Sequence, residues 1–230
     1  MKNSITIFLQ QGNPKENKKT IKRFSESELV KEIILISSEE KFSSFENTKV
    51  IYSQNFKSSE TIKLIAHYTS TDYTLIVQSG KAVKPGQFCL DRFYQVAINT
   101  NAAMVYSDYY EEEKGKPIAH PVIDYQEGSL RDDFDFGEIL FVKTKYLKKI
   151  AEKENGNLKF AGLYNLRLQL SQLGPIFRIP EYLYTIESSE EVGTEDKHFS
   201  YVDPKNREVQ IEMEKVVTQH LMDVGAYVHP

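Results

Sequence analysis

The feature that most constrains this chain is a series of short, almost wholly apolar runs set between helical stretches. They are Ile5-Thr-Ile-Phe-Leu9, Glu32-Ile-Ile-Leu-Ile36, Lys49-Val-Ile-Tyr52, Leu75-Ile-Val77 and Ala102-Ala-Met-Val-Tyr106. A strand that is apolar on both faces has to be covered on both faces, which a mostly parallel sheet between two helix layers achieves. The chain is therefore expected to be α/β, with a mostly parallel central sheet flanked by helices. Ligands in such sheets bind beyond the carboxyl ends of the strands. Those ends are Gln10-Gln11-Gly12, Ser37-Ser38, Ser53-Gln54-Asn55, Gln78-Ser79-Gly80 and Ser107-Asp108.

Between the strands, Lys18 to Lys31 carries Ile21, Phe24 and Leu29 on one helical face. Ser58-Ser59-Glu60 before an apolar run reads as a helix start, and Pro85-Gly86 opens a helix with Phe88, Phe93, Val96 and Ala97 facing a core. After Asp108 the pattern changes. Tyr109 to Asp135 is acidic, aromatic and aperiodic. Gly137 to Val142 predicts another strand. Leu163 to Leu173 predicts an amphipathic helix stopped by Gly174-Pro175. Ile176–Ile179 and Tyr182–Tyr184 read as a strand pair split by Pro180. Val192 to Asn206 is polar and loop-like, and Arg207 to Val224 repeats apolar residues at helical spacing. The expected division is a domain over residues 1–190 and an extension over 191–230. The stripe Met213, Val216, Val217, Leu221 would pack that extension on the same domain or on a second copy in a homodimer.

A 40% hydrophobic content is enough for a substantial core, and a net charge of −4 gives no pull toward nucleic acid or an anionic membrane. No apolar run reaches the roughly 18 residues of a spanning helix, and the N-terminus reads as a first strand rather than a signal peptide. The single cysteine, Cys89, excludes an intrachain disulfide and a multi-cysteine zinc site. A cytoplasmic protein is expected.

Three stretches could carry chemistry. Gln78-Ser79-Gly80-Lys81 ends the fourth strand in a polar loop. It is not a P-loop, because Leu75 stands where the first glycine is required and Ala82 where the Ser or Thr is. Its amides and Lys81 could still meet a phosphate. Asp108 follows a buried strand, where a carboxylate can bind a metal ion or a ribose hydroxyl. His120 to Gly137 packs five carboxylates, one arginine and four aromatic or imidazole rings into eighteen residues. Rings beside carboxylates suit a sugar, and one carboxylate in a dry cleft could act as a general base; an Arg–Asp pair simply holding a loop is the plain alternative.

The order of these parts resembles the family 2 glycosyltransferases of the nucleotide-sugar-binding GT-A fold. The resemblance covers most of residues 4 to 190. It rests on YTLIVQSGKAVKPGQFCLDRFYQVA, AAMVYSDYYEE and GLYNLRLQLSQLGPIFRIPEYLYT, and the tail from Asp203 is similar to a helical extension of such proteins. It implies a hexosyltransferase-type enzyme of polysaccharide biosynthesis, moving a sugar from a nucleotide-sugar donor to a glycan or other acceptor with inversion. Gln11, Gly12, Ser37, Ser38, Ser79, Lys81 and Asp108 would face the donor.

The family usually holds the donor diphosphate through Mn or Mg on an Asp-x-Asp motif after the fourth strand. Here that position reads Gln78-Ser79-Gly80-Lys81, the loop after the second strand reads Ser37-Ser38, and the acidic pair before the later helix is replaced by Ala161-Gly162. Lys81 could stand in as a fixed cation, Asp108 could hold a displaced metal, and Asp132, Asp133 or Asp135 could supply the base. The alternative is a GT-A-fold protein without catalysis that binds a sugar, nucleotide or partner. A nucleotidyltransferase fits less well, because Gln10 to Pro14 lacks a basic, glycine-rich loop.

Overall fold

The structure is a computed structural model, and it describes residues 2–40, 48–153, 156–188 and 207–228. The loop expected over 192–206 lies outside the described residues. Nine strands form one sheet among the described residues. In chain order they are β1 (Ile5–Gln10), β2 (Val30–Ser37), β3 (Lys49–Tyr52), β4 (Tyr73–Val77), β5 (Val83–Pro85), β6 (Met104–Glu113), β7 (Lys116–His120), β8 (Ile139–Lys143) and β9 (Ile176–Ile186). The helices are α1 (Pro14–Phe24), α2 (Ser59–Tyr68), α3 (Cys89–Thr100), α4 (Thr144–Lys153), α5 (Gly162–Leu173) and α6 (Arg207–Asp223).

The strand order is β3-β2-β1-β4-β8-β6-β9-β5, with β7 paired to β6. The run from β3 to β4 is parallel, as is β6 with β9, while β8 runs antiparallel to both β4 and β6. One face packs Ile5, Ile7, Leu9 and Leu75 against Phe24 of α1 and Phe93 of α3. The other packs Phe8, Ile34 and Ile76 against Ile65 of α2, Leu147 of α4 and Leu170 of α5. The two-sided burial inferred from the apolar runs is thus met by helices on both faces.

Local chemistry sets the helix ends. Asn13 caps α1, its side chain accepting from the Lys15 amide at 2.9 Å, and Pro14 takes the first turn, where its missing N–H costs nothing. This helix therefore starts four residues before the predicted Lys18. Ser58 caps α2 by accepting from the Thr61 amide.

Three elements differ from the sequence reading. The residues around Pro180 form one strand, not a pair. Ser107 pairs with Ile179 and Asp108 with Tyr182, so Pro180 and Glu181 sit in a bulge where a missing N–H breaks no ladder bond. The acidic stretch after Asp108 is a strand as far as Glu113, held by β7 on one side and, as far as Glu111, by β9 on the other. It turns through Lys114 (φ 50°) and Gly115 (φ 75°) into β7, the left-handed pair that a tight hairpin requires. Val83–Pro85 forms β5 against the end of β9, where three residues carry too little periodicity to announce a strand.

Helix α6 packs on α5 through Val216, Met213 and Val217 against Ala161, Tyr164 and Leu168. It also supplies a carboxylate. Ala161, at the N-cap position of α5, has no side-chain acceptor. Glu212 accepts instead from the amides of Lys159 (2.9 Å), Phe160 (2.7 Å) and Ala161 (3.1 Å). Burial opposes its charge, but the three amides and Lys159 outweigh burial and hold its carboxyl below the usual range. A depressed folded-state pKa gives stability that is present above the unfolded pKa and lost as pH falls through the folded one. Glu212→Ala should lower stability by about 1–3 kcal/mol at pH 7. Urea denaturation should show the gap to wild type narrowing as pH drops through the carboxylate range.

Candidate functional site

The strand order reverses between β1 and β4: the chain proceeds from β1 outward to β2 and β3, then returns to β4 on the other side. The carboxyl edge at this switch point is where the topology puts a ligand crevice. The β1–α1 and β4–β5 loops meet there backbone to backbone. A Cβ on Gly12 would lie 1.6 Å from the Gly80 carbonyl oxygen, so only glycine permits the approach. Asn17 holds the Gly12 peptide from the other side, its carboxamide accepting from the Gly12 amide (3.1 Å) and donating to the Gly12 carbonyl (3.2 Å). Gln11 bridges to the next loop, accepting from the Ser38 amide and donating to Glu39. Ser37 is buried, and its hydroxyl closes a turn with the backbone of Glu39.

The β4–β5 loop is tied to the entry of β8. The Gln78 amide donates to the Glu138 carbonyl at 2.9 Å, and its side chain donates to the Gly137 carbonyl at 3.3 Å. Ser79 Oγ accepts from the Lys81 amide, and the Lys81 side chain is exposed. Next to this loop lies a cavity of about 190 Å³ whose lining includes Lys57, Gln78, Asp132, Asp135, Gly137 and Arg167. Two of the three carboxylates singled out in the sequence, Asp132 and Asp135, therefore face one cavity. Asp133 does not line it; it pairs with Arg131 at 3.0 Å on the surface. Larger grooves lie elsewhere, one between α1 and α3 and one among α4, α5 and α6.

Asp135 accepts from the Gly137 amide at 2.7 Å and lies 2.8 Å from His120 Nε2. His120 stacks on Tyr109, which stacks on Tyr184, with ring centroids 4.4 and 5.2 Å apart. Tyr184 Oη accepts from the Glu138 amide at 2.7 Å. Burial raises the Tyr184 hydroxyl well above its ordinary pKa, so this ring stays neutral. Glu138 is pushed above the usual carboxylate range first by burial, then by the neighbouring charges of Asp135 and Glu111; Lys81 and Lys57 oppose the shift.

Asp108 has another role than ligand binding. It is buried in β6, and Arg178 of β9 engages both its oxygens at 2.8 Å while the Val122 amide donates to one of them. Arg178 also reaches Asp124 at 3.1 Å. These bonds leave the carboxylate occupied. Nor do the residues at the β4 end fit a resident divalent metal. Gln78 is spent on Gly137, Ser79 on its own turn, and Lys81 puts a cation where a metal needs anionic oxygen. Among the described residues no group of three or more His, Cys, Asp or Glu could hold a metal ion.

The neutral Ala161-Gly162 pair also has a steric reason. A Cβ on Gly162 would lie 2.3 Å from the Ser58 carbonyl carbon, and the Gly162 amide donates to the Lys57 carbonyl at 2.7 Å. The start of α5 presses against the β3–α2 loop, which leaves no room for an acidic side chain at 162.

Sequence reasoning missed Lys57, Glu138, Arg167 and Arg178. Glu138 was counted inside the following strand, although a charged residue between Gly137 and an apolar run was a usable signal. Arg167 stands in an amphipathic helix, where nothing in the local pattern marks it out. It is buried, donates to the Ser129 and Arg131 carbonyls at 2.6 Å, and lies over the Tyr164 ring, fastening the aromatic loop to α5.

No family model matches the chain, and no curated protein matches it in sequence. Solved structures do match in shape. Staphylococcus aureus TarS residues 1–349 superposes with a TM-score of 0.65 at 11% identity, covering 97% of this chain and 66% of that one. The same fragment with UDP gives 0.64 at 12%, and with UDP-GlcNAc 0.62 at 13%. The chain spans 40% of the longer TarS structure. The fold is GT-A-like. No helix among the described residues is long and apolar enough to cross a membrane.

Two substitutions check these assignments by thermal or urea unfolding. Asp108→Ala strands Arg178 and should cost about 3–5 kcal/mol. Gly162→Asp should destabilise by about 1–3 kcal/mol because the side chain has no room.

Proposed function

We propose that the chain is a glycosyltransferase that binds a nucleotide-sugar across the carboxyl edge of its sheet and transfers the sugar, with inversion, to a glycan hydroxyl. The supporting observation is a GT-A-like fold, shared with structures solved with UDP and UDP-GlcNAc, whose carboxyl edge carries two lysines among carboxylates. Lys57 and Lys81 would meet the charge of the leaving diphosphate that an Asp-x-Asp motif leaves to a metal. Gln11, Gly12, Ser37, Ser38 and Ser79 would form the backbone wall on the donor side. Asp132 and Asp135 would face the sugar from the cavity.

A second reading is a GT-A-like protein that binds the nucleotide or sugar without transfer. The observation favouring it is the closed, neutral Gly162 position, which removes the family's usual source of a base.

Calorimetric titration with UDP, GDP and dTDP, with and without Mn²⁺, tests the binding common to both. One of the three should bind, with an affinity that manganese changes by less than about threefold. Lys81→Ala should weaken that binding about tenfold, equal to about 1.4 kcal/mol. Absence of any nucleoside diphosphate binding, or binding that demands the metal, would overturn the proposal.

A further inference from the structure

Resting on that reading, we propose that Glu138 is the general base of the transfer, replacing the carboxylate that Gly162 has no room to be. The backbone of Glu138 is fixed on both sides. Its amide donates to Tyr184 Oη at 2.7 Å, and its carbonyl accepts from the Gln78 amide at 2.9 Å. This sets the residue at the carboxyl end of β4, beside the polar loop and the cavity lined by Asp132 and Asp135. Among the described residues its carboxylate has neighbouring charges but no hydrogen-bond partner. Three other carboxylates of the region are committed: Asp135 to His120 and the Gly137 amide, Asp133 to Arg131, Asp108 to Arg178. Asp132, which lines the cavity, is the competing base, and Asp132→Asn measured beside Glu138→Gln separates the two.

In the step, the acceptor oxygen attacks the anomeric carbon as Glu138 takes the hydroxyl proton. The bond from that carbon to the diphosphate oxygen breaks, and its electron pair leaves with the nucleoside diphosphate. Solvent then removes the proton from Glu138. The charged groups facing Glu138 are Asp135 and Glu111 on one side and Lys81 and Lys57 on the other, with His120 bound to Asp135. A carboxyl raised above its usual range is a stronger base than an ordinary carboxylate. Turnover should fall as pH drops through that raised value.

The test uses the whole chain with UDP-glucose, UDP-GlcNAc, GDP-mannose and dTDP-rhamnose as donors and water as acceptor, reading release of nucleoside diphosphate. Nucleotide affinity is measured in parallel. Glu138→Gln should bind the nucleotide as wild type does and lose roughly 100-fold or more in turnover. Glu138→Asp should retain a fraction of turnover and shift the acidic limb of the pH profile. A merely structural role predicts the reverse pattern. The raised pKa means ionising Glu138 costs stability as pH rises through it, so Glu138→Gln should unfold no earlier than wild type at pH 8. Turnover of Glu138→Gln within threefold of wild type would overturn the base while leaving the glycosyltransferase reading in place. A wild-type chain that binds nucleotide but releases none from these donors would overturn the base and favour the non-catalytic reading. A chain that binds no nucleotide would overturn both.

Discussion

The antiparallel pairing of β8 with β4 is the contact on which the rest of this molecule depends. Without it the sheet would stop at β4, and its two parallel parts, β3-β2-β1-β4 and β6-β9, would be separate edges. Val77 pairs with Ile139, so the chain entering β8 arrives where β4 leaves. That register makes neighbours of two loops distant in sequence, 78–81 and 135–138. This juxtaposition brings together Lys81, the Asp135–Gly137 wall of the cavity, and the half-buried carboxylate of Glu138. A slip of one residue would turn the apolar side chains of β8 to the wrong face, so the register is strongly held.

Around that contact the molecule substitutes one kind of interaction for another. The close approach of Gly12 and Gly80 brings two loops into backbone contact, and Asn17 fixes the peptide that makes it possible. The start of α5 is seated on the β3–α2 loop, and the carboxylate near its first amides comes from a helix about fifty residues later in the chain. Charge at this edge thus comes from Lys81 after β4 and from glutamates of β8 and α6.

Much of the fold was legible because it is written in local periodicity. The apolar runs named β1, β2, β3, β4, the start of β6 and β8, and Ser58 and Gly174 mark helix ends by short-range rules; the Asn13–Pro14 start of α1 was not among them. The end of β6 was harder. Tyr110 to Glu113 is only half-buried to exposed, so its pattern lost the burial signal that identifies strands. Pro180 read as a break because a bulge and a strand end look alike without the partner strand. The site was the least legible part. Asp108 had the right position for a ligand and the wrong neighbour, since Arg178 is seventy residues away in the chain and adjacent only across the sheet. Glu138 had an ordinary local sequence, and its surroundings come from four separate segments.

One consequence of the ring stack is spectroscopic. The chain has no tryptophan, so its near-ultraviolet signal comes from tyrosine and phenylalanine. Tyr109 and Tyr184 lie face to face at an interplanar angle of 0°, and Tyr184 holds the amide of the residue beside the candidate site. Rings fixed in tertiary packing dominate near-ultraviolet circular dichroism, whereas mobile surface tyrosines contribute little. The protein therefore carries its own optical reporter of events at the sheet edge, with no label and no introduced residue.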